Sequence, residues 1–112
     1  MKIAIGVKDK ESKTINEMFA RSPFFVVAEV ENGKIINEMV EENNFSNQTS
    51  NAGTAVIEKL AKMEVETILC ANLGPKSQDL AKQLEIKIYK TDNLKYDDTM
   101  NMFINNELSE ME

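Results

Sequence analysis

The chain contains no histidine, so it lacks the side chain that most often acts as a general base near neutral pH. Serine–histidine and cysteine–histidine nucleophiles are excluded for the same reason. The chain has one cysteine, which rules out an internal disulfide framework and a multi-cysteine zinc site. It has only four glycines, and neither a G-x-G-x-x-G nor a Walker-type phosphate loop occurs. Because a conventional catalytic site is hard to build from these residues, we expect a non-enzymatic protein.

Positive charge and long apolar runs are also scarce. The chain has 13 Lys and Arg against 19 Asp and Glu, which gives a net charge of −6. General nucleic-acid binders and proteins that dock on anionic membranes carry a basic face, so we expect neither kind of partner. No apolar segment approaches the ~20 residues that span a bilayer. The apolar run at residues 1–7 is too short for a signal peptide and is typical of a strand. These features predict a cytoplasmic protein.

The order of predicted elements indicates an α/β fold. A chain of 112 residues that is 42% hydrophobic suits one domain with one core. Hydrophobic periodicity predicts the order β-β-β-α-β-α-β-α, with strands at 2–7, 24–30, 35–41, 65–71 and 86–90. A hairpin followed by strand–helix units predicts a mixed sheet of about five strands with helices on its faces. The third strand is predicted to be an edge strand because its outer residues are polar. Residues 109–112 are predicted to form a short, frayed acidic tail.

Two helix entries contain the residues with the clearest binding potential. Residues 72–75, Asn-Leu-Gly-Pro, join a buried strand to a helix, and glycine permits positive φ in such a turn. Open α/β sheets bind ligands at this end of their strands, and a helix start offers N–H groups and partial positive charge to an anion. We hypothesise that Asn51, Gly53, Asn72 and Gly74 line one anion site. The alternative is that they only form turns, for which asparagine and glycine are ordinary choices.

Arg21 is the strongest single candidate for ligand binding. Its guanidinium is always charged and presents a fork of donors to oxyanions or thioanions. The alternative is a surface arginine that pairs with a nearby carboxylate. Cys70 is a candidate metal ligand, although its place in an apolar strand also suits a buried, inert thiol. Met18 and Met39 offer soft thioether sulfur or, alternatively, fill gaps in the core.

Five segments in a fixed order resemble a known family. They are 1–7 (Met-Lys-Ile-Ala-Ile-Gly-Val), 19–25 (Phe-Ala-Arg-Ser-Pro-Phe-Phe), 71–77 (Ala-Asn-Leu-Gly-Pro-Lys-Ser), 86–89 (Ile-Lys-Ile-Tyr) and 105–108 (Asn-Asn-Glu-Leu). Together they resemble the dinitrogenase iron–molybdenum cofactor biosynthesis family. That family includes nitrogenase cofactor carriers and the orange-protein type, which holds a molybdenum–copper–sulfur cluster. The resemblance spans residues 1–108 and implies a single domain of this kind.

The resemblance implies a ribonuclease H-like three-layer fold, without implying ribonuclease activity. It also implies a carrier or binder for an anionic metal–sulfur cluster or its precursor, such as an iron–molybdenum or molybdenum–copper–sulfur cluster. A partner protein of cluster biosynthesis or regulation is implied as well. Family members often carry histidine before the 19–25 segment or before the first long helix, where this chain has Met18 and residues 47–50, Asn-Gln-Thr-Ser. Non-covalent binding of an anion is therefore the expected mode.

A second class of function remains open. The same fold can serve as a protein-interaction or regulatory domain with no bound cluster, and the predicted edge strand at 35–40 can pair with a partner or with itself. A hydrolase of the ribonuclease H type is the weakest alternative. That chemistry needs several carboxylates around Mg²⁺, and the first strand carries none at residues 3–5, Ile-Ala-Ile.

Overall fold

Strands and helices alternate in nearly the order that the sequence predicts. The computed structural model describes residues 1–48, 50–92 and 95–111. Within them, the strands are β1 (Lys2–Val7), β2 (Phe24–Glu31), β3 (Lys34–Glu42), β4 (Thr67–Cys70), β5 (Lys87–Lys90) and β6 (Ser109–Glu110). The helices are α1 (Ala52–Lys62), α2 (Pro75–Gln83) and α3 (Tyr96–Ile104), and a short 3₁₀ helix covers Phe19–Arg21. No helix in the described ranges combines the length and apolar character that a membrane crossing requires.

The sheet has the order β3-β2-β1-β4-β5-β6, which places β1 near its centre. The β1 strand pairs antiparallel with β2 and parallel with β4, and β4 pairs parallel with β5. The β2–β3 hairpin turns at Asn32 and Gly33, both with positive φ, as the Asn-Gly pair predicts. The β3 strand lies at an edge of the sheet, which confirms the prediction. Because β1, β4 and β5 are parallel, their carboxyl ends meet at one end of the sheet, where ligand loops are expected.

Helices cover both faces of the sheet, so the expected three-layer architecture is confirmed. One face packs against α1 and α2, whose buried residues include Val56, Ile57, Leu60 and Ala81. The other face packs against α3 through Tyr96 and Met100. All residues of β4 are buried because helices lie on both sides of it. This position explains the continuous apolar run from which the strand was predicted.

The sheet has one strand more than predicted. Ser109–Glu110 pairs antiparallel with β5, and the Met111 N–H donates to the Ile88 carbonyl oxygen at 2.7 Å. Met111 also packs against the core on the α1 and α2 face. The structure thus differs from the predicted frayed tail at residues 109–111, while Glu112 lies outside the described residues. A strand of two residues is too short to give a period-2 pattern, so the sequence carries no local signal for it.

The ends of α2 and α3 are set by local contacts. Leu84 is the C-cap of α2, which ends at Gln83, and its side chain is 43% exposed. The α3 helix begins one residue before Asp97, and its N-cap is Lys95 rather than an aspartate. Asp97 and Asp98 instead occupy the first turn, where negative charge interacts favourably with the helix dipole.

Met111→Ala is expected to reduce the free energy of unfolding by about 1–2 kcal/mol, because a partly buried side chain is lost from the core. Urea denaturation monitored by circular dichroism measures this change. Glu110→Gln is the control, since an exposed substitution of this kind typically stays within about 0.5 kcal/mol. Equal stability of the two variants would contradict the assignment of Met111 to the core.

Candidate functional site

A hollow of about 360 Å³ lies at the carboxyl end of the parallel strands, and we call it the strand-end hollow. Its walls come from the 3₁₀ helix after β1, from the start of α1 and from the start of α2. The residues that matter most for its chemistry are Arg21, Asn51, Gly53, Gly74, Lys76 and Ser77. Four of the five residues predicted to bind the ligand therefore surround one space. Their role in binding stays a prediction.

The strand-end hollow is positively charged within an acidic chain. Arg21 and Lys76 line it, and none of its lining residues in the described parts of the chain is an aspartate or glutamate. By contrast, a larger hollow of about 700 Å³ at the opposite end of the sheet is lined by five glutamates and two lysines: Glu29, Glu31, Glu64, Glu66, Glu85, Lys2 and Lys87. Because the carboxylates outnumber the lysines there, the strand-end hollow is the more favourable of the two for an anion.

Two helix starts add to this positive potential. Asn51 and Gly74, the N-caps of α1 and α2, both line the strand-end hollow. Neither makes a side-chain capping hydrogen bond. The first N–H groups of a helix have no partner within the helix, and the helix dipole places partial positive charge there. Both helix starts therefore offer backbone donors to an anion.

The two glycines of the site serve different purposes. A Cβ atom on Gly53 would lie 2.0 Å from the Ser77 Oγ, so glycine allows the starts of α1 and α2 to approach closely. A Cβ atom on Gly74 would meet no heavy atom within 4 Å. The φ of Gly74 is −65°, so this turn does not use the positive φ that glycine permits. Gly74 instead leaves its backbone open towards the hollow.

Asn51, the N-cap of α1, adopts the left-handed backbone conformation, with φ 59°. Asparagine tolerates this conformation better than most residues.

Arg21 binds backbone carbonyl groups. Its Nη1 donates to the Ser46 carbonyl oxygen at 3.0 Å and also to the Gln48 carbonyl oxygen. Among the described residues, Lys59 forms an ion pair with Glu41, whereas Arg21 pairs with no carboxylate. The structure therefore contradicts the alternative in which Arg21 is a surface residue paired with a nearby carboxylate. Arg21 holds the polar segment at residues 43–48 next to the hollow.

A network of buried polar contacts fixes the 3₁₀ helix that carries Arg21. Asn43 is 5% exposed, and its Nδ2 donates to the Ala20 and Ser22 carbonyl oxygens at 2.9 and 2.8 Å. Ser22 is fully buried and packs against Gly6 of β1, where a Cβ atom would lie 2.0 Å from the Ser22 Oγ. The sequence analysis missed Asn43, because it is one asparagine among several in a polar loop. It also missed Lys76 and Ser77, which look like ordinary residues of an exposed helix.

Asn72 does not line the strand-end hollow. Its carbonyl oxygen accepts a hydrogen bond from the Phe19 N–H at 3.2 Å, which ties the end of β4 to the 3₁₀ helix. The residue lines an adjacent hollow of about 260 Å³, together with Glu17, Lys90 and Asp92. Through its hydrogen bond to Phe19, Asn72 thus stabilises the 3₁₀ helix that forms one wall of the strand-end hollow. Side-chain direction in this loop depends on tertiary packing, which the Asn-Leu-Gly-Pro pattern does not specify.

Cys70 lies in the core and lines neither of these two hollows. It is 1% exposed, and burial raises the pKa of its thiol to about 12. No group of three or more Cys, Asp or Glu side chains is placed to hold a metal ion within residues 1–48, 50–92 and 95–111.

The two candidate methionines lie in different places. Met18 is 50% exposed and lines the strand-end hollow, so it does not fill a gap in the core. Met39 lies away from the site, on β3.

These features define a small three-layer α/β protein with a cationic hollow at the carboxyl end of its parallel strands. The chain belongs to the dinitrogenase iron–molybdenum cofactor family, whose model matches residues 1–106. This match confirms the resemblance carried by the five sequence segments.

Two known proteins illustrate the relationship. The chain is 32% identical over 112 residues to MJ0580, an uncharacterized protein of Methanocaldococcus jannaschii, and the match covers 100% of this chain and 92% of the relative. Its fold is similar to that of the apo form of the orange protein from Desulfovibrio gigas, with a TM-score of 0.88. That alignment covers 98% of this chain and 92% of the orange protein at 18% identity, a level that shows a shared fold alone.

Gly6→Ala is expected to reduce the free energy of unfolding by about 1–3 kcal/mol, because the new methyl group overpacks the contact with Ser22. Chemical denaturation measures the loss. Gly74→Ala is the matched control: its new methyl group enters open space, so its stability should stay within about 0.5 kcal/mol of the wild type. A similar loss in both variants would contradict the proposed role of the Gly6 contact.

The Cys70 thiol is expected to resist a thiol reagent such as DTNB in the folded protein at pH 8. Its pKa of about 12 lies above this pH, so the thiol stays protonated, and it is also buried. Unfolding in denaturant should release one reactive thiol per chain, which serves as the reference. Rapid reaction of the folded protein would show that Cys70 is accessible, and would revive it as a metal ligand.

Proposed function

We propose that the protein is a non-enzymatic carrier that holds an anionic metal–sulfur cluster, or its precursor, in the strand-end hollow. The observation that carries this proposal is the charge distribution. A chain with a net charge of −6 gathers Arg21, Lys76 and two helix starts around one hollow whose described lining residues include no carboxylate. Membership of the dinitrogenase iron–molybdenum cofactor family supports a cluster as the ligand.

The donors of the hollow suit a multi-atom anion. A guanidinium offers planar N–H donors, and an ammonium acts as a point charge, so Arg21 and Lys76 complement each other. Each helix start adds roughly half a positive elementary charge. The volume of about 360 Å³ far exceeds the ~30 Å³ share of one water molecule, so the hollow has room for more than a single small ion.

The residues fit capture by charge and hydrogen bonds better than direct metal ligation. The chain has no histidine, and Cys70 is buried away from the hollow. Among the described residues that line the hollow, Met18 is the one that contains sulfur. Its thioether suits soft metals such as Cu(I). A cluster would therefore keep its own sulfide ligands and bind as an intact anion. A carrier of this kind also requires a partner protein that delivers or receives the cluster.

Lys76→Ala gives the cleanest test of this proposal. Arg21 also holds the segment at residues 43–48, so its replacement alters the loop as well as the charge. Lys76 lies on α2 and lines the hollow. Lys82→Ala removes the same charge from the same helix, but Lys82 lines a separate groove beside β5. The two variants therefore separate the site from the overall charge of the protein.

The probe is tetrathiomolybdate with Cu(I), mixed with the protein under anaerobic conditions and followed by absorbance after gel filtration. We expect the wild type and Lys82→Ala to retain the coloured species. Lys76→Ala should bind about tenfold more weakly, because one charge-assisted contact of roughly 1.5 kcal/mol is lost. Equal weakening in both variants would contradict the assigned site. Failure of the wild type to retain any species would contradict cluster binding and favour the interaction-domain alternative.

A further inference from the structure

The hydroxyl group of Ser77 is buried without a hydrogen bond. Ser77 is 6% exposed, and none of the described residues pairs with its Oγ. Buried polar groups normally form hydrogen bonds, because an unpaired one costs free energy. In the described part of the chain, no fully enclosed side-chain oxygen or nitrogen lacks a partner, so the Ser77 hydroxyl reaches open space. That space is the strand-end hollow, which Ser77 lines.

Ser77 lies deep in this hollow, between the first turns of α1 and α2. It is the third residue of α2, and a Cβ atom on Gly53, the second residue of α1, would lie 2.0 Å from its Oγ. Met18 lines the same hollow but is 50% exposed, so it lies nearer to solvent. The hollow thus has a buried floor at Ser77 and an exposed rim at Met18.

The floor offers further hydrogen-bond donors beside this hydroxyl. The first hydrogen bond within α2 runs from the Gln78 N–H to the Gly74 carbonyl oxygen, at 3.0 Å. The N–H groups of Lys76 and Ser77 precede it, so they have no partner within the helix. The start of α1 presents donors of the same kind to the hollow. No carboxylate among the described lining residues competes for these donors.

We infer that this floor binds the oxygen atoms of a tetrahedral oxyanion, and that the Ser77 hydroxyl raises its selectivity for oxygen over sulfur. A hydroxyl donates one hydrogen bond, and sulfur accepts it more weakly than oxygen does. Donors from two helix starts and one side chain suit the diverging oxygen atoms of a tetrahedral anion. The inference rests on the proposed ligand site and gives the bound anion a direction. Its oxygen atoms lie at the floor, and soft metal or sulfur atoms lie towards Met18.

Ser77→Ala tests this inference with molybdate and tetrathiomolybdate, which share shape and charge but differ in their outer atoms. Anaerobic equilibrium dialysis with molybdenum analysis gives each dissociation constant. We expect the wild type to bind molybdate, and Ser77→Ala to weaken that binding about tenfold, because a hydrogen bond to an anionic oxygen is lost. Binding of tetrathiomolybdate should change less than about twofold, because sulfur is a weak acceptor.

Ser109→Ala is the matched control. It removes an exposed hydroxyl from β6, outside the described lining of the hollow, and both affinities should stay at the wild-type values. Thermal denaturation checks that each variant is folded. Equal weakening of both probes in Ser77→Ala, or unchanged molybdate binding, would overturn the inference.

The wild type provides a test that needs no substitution. If it retains tetrathiomolybdate but not molybdate, the oxyanion inference is wrong and the carrier proposal stands. If it binds molybdate in a manner that depends on Ser77 but retains no copper–thiomolybdate species, the carrier proposal is wrong and the oxyanion site stands. The two proposals therefore fail by different results.

Discussion

The contact between Gly6 and Ser22 is the constraint on which the site depends. The absence of a side chain on Gly6 lets the buried Ser22 pack directly against the central strand. Ser22 follows the 3₁₀ helix immediately, so this contact sets the position of Arg21 relative to the sheet. Asn43 reinforces it by donating to the carbonyl groups on both sides of Arg21. Arg21 is thus held at its backbone by these contacts and at its guanidinium by the Ser46 and Gln48 carbonyl oxygens, which reduces the entropy lost when it binds a ligand.

A second close contact brings the two helix starts together. Gly53 lets Ser77 approach α1, so the first turns of α1 and α2 face the same hollow. One helix start attracts an anion weakly in water, and salt screens the effect. Two helix starts and two cationic side chains around a partly enclosed space act together, because fewer water molecules separate the charges from the ligand. The five glutamates that line the hollow at the opposite end of the sheet sharpen this contrast, since they outnumber the two lysines there and make that end less favourable for an anion.

The sequence predicted the architecture more completely than the site. The apolar run of β4 and the Asn-Gly turn before β3 are strong local signals, and both elements formed as predicted. The β6 strand escaped prediction because its two residues are stabilised by the edge of β5 and not by their own pattern. The glycine and asparagine positions indicated the correct end of the sheet. However, the direction of Asn72, the buried role of Asn43 and the contribution of Lys76 depend on packing between distant segments, which one sequence does not encode locally.

The described lining residues of the hollow offer neither a thiolate nor an imidazole, which has a consequence for a carrier. Thiolate and imidazole ligands hold a metal by coordinate bonds, and they would retain a cluster strongly. Electrostatic and hydrogen-bond contacts are individually weaker, and each can break in turn as the ligand leaves. Within the proposed function, Arg21, Lys76 and the two helix starts would therefore favour capture of an intact anion and its release without ligand exchange at the metal. Burial of Cys70, which raises its pKa to about 12, keeps the single thiol of the chain out of that exchange.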